Sequence, residues 1–328
     1  MRTTKASSPA NAAELDVRTR SRLGRVPEWA ALLVVLLALG TFFAIRSEFL
    51  LRPNNLVNVV TNVAVLGIIA APGTMLLIAG QVDLSVASCA VFVGMVIANV
   101  APTSLTLAIF AAIGAGLLVG IINAVGVVVL RVNSIITTLA TLAAFRGAAK
   151  LVSGGQTLIL DGFGALGTNR ILSVPLSAYM FALVALLYHL VLRYTRFGKH
   201  IYAMGGDDRA ARLAGIRVSR NIVVGFLLSA VSAILAGLIL VSQLGASSPI
   251  AAQGLELQVI TAVILGGASL NGGRGSMMGT IVAVFIIGLL DNGLNLLSVQ
   301  SFWQEIILGA LLLSAVAFDQ FRIRVSQR

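Results

Sequence analysis

The sequence predicts an all-α protein, a polytopic transmembrane helical bundle of about ten membrane segments that include short or broken helices, with both termini cytoplasmic. Three observations support this prediction. Apolar residues make up 58% of the 328 residues and charged residues only 11%, whereas soluble domains carry roughly 45–50% apolar and about 25% charged residues. The apolar residues are concentrated in ten runs. The basic residues lie mostly between those runs, on one predicted side of the membrane.

The ten apolar runs are the predicted membrane segments. They lie near 29–45, 56–79, 84–100, 105–130, 134–152, 173–192, 221–242, 257–269, 276–290 and 303–318. A helix that crosses the hydrocarbon core needs about 20 residues, so the run 257–269 is too short. The glycine-rich stretch 270–275 follows it, and Gly80–Asp83 interrupts the apolar sequence in a similar way. Irregular backbone at membrane depth requires surrounding protein or a water-filled cavity, and interruptions of this kind indicate a transport pathway.

Basic residues give the orientation and the domain organisation. Residues 1–26 are polar and basic, and we expect a flexible cytoplasmic tail rather than a cleaved signal peptide. A transmembrane domain over 27–320 follows, with a long cytoplasmic loop at 193–220 and a second cytoplasmic tail at 321–328. This topology places 18 of the 23 Lys and Arg residues on the cytoplasmic side and three on the other side. The asymmetry is the one that the positive-inside rule describes.

The sequence gives little support for an enzyme. It contains no GxxxxGK[ST] phosphate-binding loop, no GxSxG nucleophile motif and no His, Cys and carboxylate cluster with metal-ligand spacing. Cys89 lies alone inside an apolar run, which is typical of a packing residue. We therefore expect a protein that binds no cofactor itself and does not hydrolyse ATP.

The long cytoplasmic loop contains a predicted docking element. Asp207 can cap a short helix over about 208–214, and Gly215 can end that helix. The exposed face of this helix is predicted to be charged, with Asp208, Arg209 and Arg212. Such a compact element suits a partner surface, although an ordinary solvated loop is the alternative interpretation.

Five motifs, in order along 54–320, resemble the permease subunits of ribose, xylose and related sugar ABC importers. They are GQVDLSVAS at 80–88, TTLATLAAFRGAA at 137–149, FGKHIYAMGGDDRAARLAGIRV at 197–218, ITAVILGGASLNGGRGSMMGT at 260–280 and LLDNGLNLL at 289–297. The resemblance implies a multi-pass protein of the bacterial inner membrane that imports a monosaccharide or related polyol. It also implies a second permease chain, identical or paralogous, two cytoplasmic ATPase domains that use ATP and Mg²⁺, and an extracytoplasmic sugar-binding protein.

The same resemblance assigns expected roles to individual residues. The segment that couples the permease to the ATPase is expected to comprise Gly205, Gly206, Asp207, Asp208, Arg209, Ala210, Ala211, Arg212 and Gly215. Candidates for the substrate pathway are the polar residues of the two interruptions, namely Gln81, Asp83, Ser85, Ser88, Ser269, Asn271 and Arg274. Hydroxyl, amide and carboxylate groups suit a neutral sugar.

Several of these residues have a second interpretation. Asp83 can instead cap a helix that starts at Leu84, and Arg274 can anchor its loop at the cytoplasmic face. Arg146 lies deep enough in its segment to need a partner or water, whereas Lys150 is near enough to the outer end to reach the interface. The sequence departs from the family pattern at Gln81 and elsewhere, which leaves the substrate open.

Two other functions remain open at this point. An ion-coupled secondary transporter requires a deep acidic pair or an ion site between broken helices, and the few acidic residues lie mostly at predicted segment ends. A non-transporting membrane scaffold accounts for helix packing but gives no purpose to the two glycine-rich interruptions.

Overall fold

The computed structural model describes residues 28–160 and 162–326, with side chains over 29–160 and 162–321. This part of the chain is predominantly helical. In chain order its helices are α1 (Glu28–Arg46), α2 (Pro53–Ile78), α3 (Val86–Val100), α4 (Leu105–Val128), α5 (Ser134–Ser153), α6 (Ala165–Thr168), α7 (Leu176–Tyr194), α8 (Arg196–Gly206), α9 (Asp208–Leu213), α10 (Val218–Leu244), α11 (Leu255–Leu265), α12 (Met277–Leu296) and α13 (Ser301–Ser326). The predicted tail 1–26 lies outside the described residues, and α13 continues past residue 320.

The helices match the predicted membrane segments. Eight of those described are long and apolar enough to cross a membrane: α1, α2, α4, α5, α7, α10, α12 and α13. Helices α3 and α11 are apolar but shorter, with 15 and 11 residues. They adjoin the two interruptions that the sequence predicts. The polytopic helical bundle with about ten segments, some of them short, is therefore confirmed.

The connections on the opposite side from the long loop contain the described strands. These are β1 (Leu158–Ile159), β2 (Arg170–Ile171), β3 (Val174–Pro175) and β4 (Ala246–Ser247). Strand β1 pairs antiparallel with β4, and β2 pairs antiparallel with β3. The β1–β4 pair ties the loop after α5 to the end of α10, because Leu158 lies opposite Ser247.

Helix α2 forms the centre of the bundle. About 78% of its apolar window is buried, against 6% for α1 and for α13. It packs on α7, α10, α11 and α12. In lipid, where apolar burial gives little net attraction between helices, close packing and interhelical hydrogen bonds hold the bundle together. The largely exposed α1 and α13 are left facing lipid or another chain.

Small residues on α4, among them Gly116 and Gly120, allow close helix contacts. A Cβ atom added at Gly120 would lie 2.6 Å from the Ala230 Cβ, and one at Gly116 would overlap the Ile234 side chain. Helices α4 and α10 therefore approach closely enough that any side chain at these glycines would force them apart.

Candidate functional site

The docking element has the conformation that the sequence predicts. Helix α9 spans Asp208–Leu213, and the Asp207 Oδ1 atom accepts a hydrogen bond from the Ala210 N–H at 3.0 Å. Gly215 follows with φ of +81°, a left-handed conformation that glycine adopts without strain. The N-terminal cap and the glycine stop are both confirmed.

One face of α9 is buried and the other is open to the cytoplasm. Ala211 packs into the cytoplasmic part of the apolar core, while Asp208, Arg209 and Arg212 are exposed. The Arg212 Nε atom lies 3.1 Å from Asp208 Oδ1. At the end of the helix Leu213 is 91% exposed. The sequence prediction did not include this leucine, although a large apolar residue within a charged loop can indicate a contact with a partner.

Three glycine-rich segments meet beneath the docking element. The Gly273 N–H donates to the Ile78 carbonyl at 2.8 Å, which joins the second interruption to the end of α2. A Cβ atom at Gly272 would lie 2.6 Å from the Gly205 carbonyl oxygen and 3.1 Å from the Gly80 Cα. A Cβ at Gly205 would overlap the Ile78 carbonyl. The end of α8 thus packs backbone-to-backbone on the end of α2 and on the second interruption, and side chains cannot intervene.

A tyrosine completes this contact. The Tyr202 hydroxyl on α8 donates to the Gly275 carbonyl at 2.9 Å. Burial raises the pKa of the Tyr202 phenol, so the phenol keeps the proton that the hydrogen bond requires. Short backbone contacts thus join the end of α8 to the end of α2 and to the second interruption.

The first interruption contains a buried polar network. Asp83 Oδ1 accepts from the Ser85 N–H at 2.9 Å and from the Ser85 hydroxyl at 2.6 Å. Asp83 Oδ2 accepts from the Ser229 hydroxyl on α10 at 2.7 Å. Asn123 on α4 donates to Ser85 Oγ and accepts from the Thr141 hydroxyl on α5, both at 2.7 Å. These contacts tie the first interruption to α4, α5 and α10 and occupy both carboxylate oxygens of Asp83. Helix α3 begins at Val86 with Ser85 as its N-cap residue, so the prediction that Asp83 caps a helix starting at Leu84 is wrong.

Of the other pathway candidates in the first interruption, one is buried in the core and one lines a cavity. Ser88 is buried and donates to the Ser85 carbonyl at 2.9 Å. Gln81 instead lines a cavity of about 740 Å³ on the cytoplasmic side, together with Arg131, Ser134 and Arg212. Of the four polar candidates in this interruption, Gln81 is the one whose position suits contact with a solute.

The second interruption is anchored to α13. The Ser269 hydroxyl and the Leu270 N–H both donate hydrogen bonds to Asp319 Oδ2, at 3.2 and 3.4 Å. Asn271 and Arg274 are exposed beside them. Ser269 therefore positions the loop, and the exposure of Arg274 agrees with its alternative interpretation as a residue at the cytoplasmic face.

The structure supplies the partner that Arg146 requires. The Arg146 Nη2 atom on α5 lies 2.8 Å from Glu256 Oε1 in the first turn of α11. Glu256 is 9% exposed, and its Oε2 atom has no hydrogen-bond partner among the described residues. The sequence places Glu256 at a segment end without indicating this contact, because 110 positions separate the two residues.

Comparison with known proteins agrees with these features. Residues 55–316 match the family described as branched-chain amino acid transport system / permease component. The chain is 36% identical over 295 residues to the ribose import permease protein RbsC of Escherichia coli strain K12, covering 88% of this chain and 92% of that protein. It is 34% identical over 326 residues to the L-arabinose ABC transporter permease protein AraH of Azospirillum brasilense, covering 98% and 96%. It is 37% identical over 286 residues to the RbsC protein of Bacillus subtilis strain 168, covering 84% and 88%. No solved structure matches.

Proposed function

This chain belongs to the branched-chain amino acid transport system / permease component family, and we propose that within its ABC importer it carries a pentose. Membership makes the chain a multi-pass permease subunit of the bacterial inner membrane, without catalytic activity of its own. It works with an ATPase that hydrolyses ATP and with a binding protein that delivers the solute. The sequence resemblance to sugar permeases is confirmed at this level.

The proposed substrate class rests on the relatives. RbsC is named for ribose import and AraH for L-arabinose transport, and each is at least 34% identical to this chain over most of its length. Ribose and arabinose are both neutral pentoses. Gln81, Asn133 and Ser134, which line the cytoplasmic cavity, suit such a molecule because amides and hydroxyls both donate and accept hydrogen bonds.

The proposed assembly has two permease chains, identical or paralogous, and two cytoplasmic ATPase domains. The coupling segment Gly205–Gly215 would enter a groove on each ATPase, with Leu213 as its apolar contact and Asp208, Arg209 and Arg212 around it. Leu213 is 91% exposed, and fully burying a leucine side chain in an interface contributes about 1.5–3 kcal/mol.

The proposed coupling mechanism rests on the contact of Gly205 with the end of α2 and with the second interruption. ATP-driven closure of the ATPases would move α8 and α9 as one rigid body. The end of α2 and the loop 266–276 would follow, because Gly205, Ile78 and Gly273 touch through backbone atoms alone. The result is a population shift between inward-facing and outward-facing states, driven by differential ATPase contacts in the two states.

Exchanging Leu213 for aspartate tests this proposal. We expect Leu213→Asp to weaken co-purification with the ATPase by about 30-fold, since losing an interface hot spot costs about 2 kcal/mol or more. Pentose uptake by the complex with its binding protein should fall in parallel. Leu172→Asp is the matched control, because Leu172 is 89% exposed on the opposite side of the membrane and its exchange should change neither quantity.

Two results would contradict the proposal. Normal ATPase association in Leu213→Asp would remove the coupling contact from α9. Pentose uptake by the wild-type chain without any ATPase would instead favour an ion-coupled secondary transporter.

A further inference from the structure

A polar cavity of about 420 Å³ lies at the end of the bundle opposite the docking element. It is lined by the first half of α2, the end of α10, the loop before α11 together with its first turn, the end of α12 and the beginning of α13. The positive-inside asymmetry makes this the extracytoplasmic end. The volume falls within the range of about 300–1,000 Å³ that is typical of small-molecule sites.

Amide side chains dominate the polar lining of this cavity. They are Asn62, Gln243, Gln253, Gln258, Asn292, Asn295 and Gln304. Two carboxylates, Asp291 and Glu305, and one hydroxyl, Ser301, complete the polar set. Among the described residues that line it there is no Lys, Arg or His, although the whole chain carries 23 Lys and Arg residues and a net charge of +11. The described lining is therefore rich in groups that both donate and accept hydrogen bonds, and it contains no cationic group.

Interhelical hydrogen bonds hold several of these amides in place. The Gln258 Nε2 atom on α11 donates to Asp291 Oδ2 on α12 at 3.2 Å. Asn292 exchanges two hydrogen bonds with Asn55 on α2, at 2.9 and 3.0 Å. Each primary amide has two N–H donors and a carbonyl acceptor with two lone pairs, so these contacts leave further hydrogen-bonding capacity at Gln258 and Asn292. Pre-positioned polar groups reduce the entropy lost when a ligand binds.

The remaining wall is apolar. Leu66, Leu240, Leu255 and Leu308 line the cavity beside the amides. A sugar ring presents hydroxyl groups at its edges and C–H groups on its faces, so it matches a wall that combines amides with leucines. Asn62, Gln253 and Glu305 are exposed at the cavity, so a solute can enter from the extracytoplasmic side without prior opening.

We propose that this cavity is a low-affinity receiving site for a neutral polyol of pentose size on the extracytoplasmic side of the permease. This inference rests on the proposed pentose import. It adds the site on the permease that receives the solute when the binding protein releases it. Hydroxyl groups donate to Asp291 and Glu305 and exchange hydrogen bonds with the amides. An amino acid, by contrast, brings an ammonium group that Asp291 or Glu305 can accept, but also a carboxylate that finds no cation among the described lining residues. Desolvating an unpaired carboxylate is costly, so the cavity selects against amino acids.

Cysteine protection tests this site. Asn62→Cys places a thiol at the cavity, and the single native cysteine, Cys89, is buried and serves as a low background. The protein is the permease with its ATPase in right-side-out vesicles without binding protein, labelled with a membrane-impermeant thiol reagent. A site with a Kd of about 10 mM is about three-quarters occupied at about 30 mM ribose or arabinose, which slows labelling about fourfold. Leucine at the same concentration should not slow it.

Gln300→Cys provides the matched control. Gln300 is exposed at the same end of the bundle but does not line the cavity, so neither solute should change its labelling. Absence of protection at Asn62→Cys by both pentoses would overturn the inference. Equal protection by leucine would overturn the selectivity for polyols.

A parallel uptake measurement separates this inference from the proposed function. Pentose uptake by the complete wild-type importer without protection at Asn62→Cys overturns the cavity inference alone. Protection by pentose without uptake by the complete importer overturns pentose import and supports the polyol site.

Discussion

The ion pair between Arg146 and Glu256 makes a strong prediction for stability. It joins α5 to the first turn of α11 at 2.8 Å, with 29% and 11% of the two side chains exposed. Removing one partner of a buried ion pair costs about 3–5 kcal/mol because the other charge is left unpaired. Since Arg146 retains partial access to solvent, we expect Arg146→Met to cost about 3 kcal/mol, at the lower end of that range.

The unpaired carboxylate is the physical reason for this cost. Glu256 Oε2 already lacks a hydrogen-bond partner among the described residues, so losing Arg146 would leave the whole carboxylate without one. A cost of about 3 kcal/mol lowers the folding equilibrium constant by more than about 100-fold, which is measurable by denaturant titration in detergent micelles. Pairing Arg146→Met with Glu256→Gln should recover about 2 kcal/mol of this loss, because the uncompensated charge is then absent.

Lys150→Met is the control for this cycle. Lys150 lies one turn further along α5, is exposed and forms no ion pair among the described residues, so its exchange should change stability by less than about 0.5 kcal/mol. The reasoning is refuted when Arg146→Met and Glu256→Gln each cost less than about 1 kcal/mol and their effects add without coupling.

Three further predictions concern the cytoplasmic half. Gly205→Val should abolish coupled uptake because its side chain overlaps the Ile78 carbonyl, whereas Gly114→Val on α4 should be tolerated because Gly114 is exposed and a Cβ there meets no described atom within 4 Å; uptake and ATPase assays distinguish them. Asp207→Ala should cost about 1 kcal/mol of local helix stability through loss of the N-cap, seen as faster amide hydrogen exchange in α9, and an unchanged rate would contradict the cap. Asp83→Ala should lower the free energy of unfolding of the purified chain by about 3 kcal/mol, since the buried donors Ser85 and Ser229 lose their acceptor. Lost uptake with an unchanged free energy of unfolding would instead make Asp83 a pathway residue.

The sequence alone determines the class of the protein and its local structure. The apolar runs, the glycine-rich breaks and the asymmetry of basic residues predict the bundle and its orientation. The Asp207 cap and the Gly215 stop predict α9. All of these signals lie within one segment or one turn, where the periodicity of the helix and the conformational preference of single residues decide the outcome.

The tertiary structure decides which distant groups meet. Asp83 and Ser229 are 146 positions apart, and Arg146 and Glu256 are 110 apart, so no local pattern relates them. The sequence presents Asp83 both as a pathway residue and as a cap, whereas the structure makes it the centre of a buried network that includes Ser229 on another helix. The amides of the extracytoplasmic cavity come from five helices and one loop, each contributing few residues.

The same holds for the glycines. Their sequence positions mark irregular backbone, but the close approach of Gly80, Gly205 and Gly272 results from how the helices pack. Segment identity follows from the hydrophobicity and conformational preferences of neighbouring residues, which the sequence contains directly. Pairing of segments follows from the mutual fit of whole helix surfaces, and that fit exists only once the bundle has assembled.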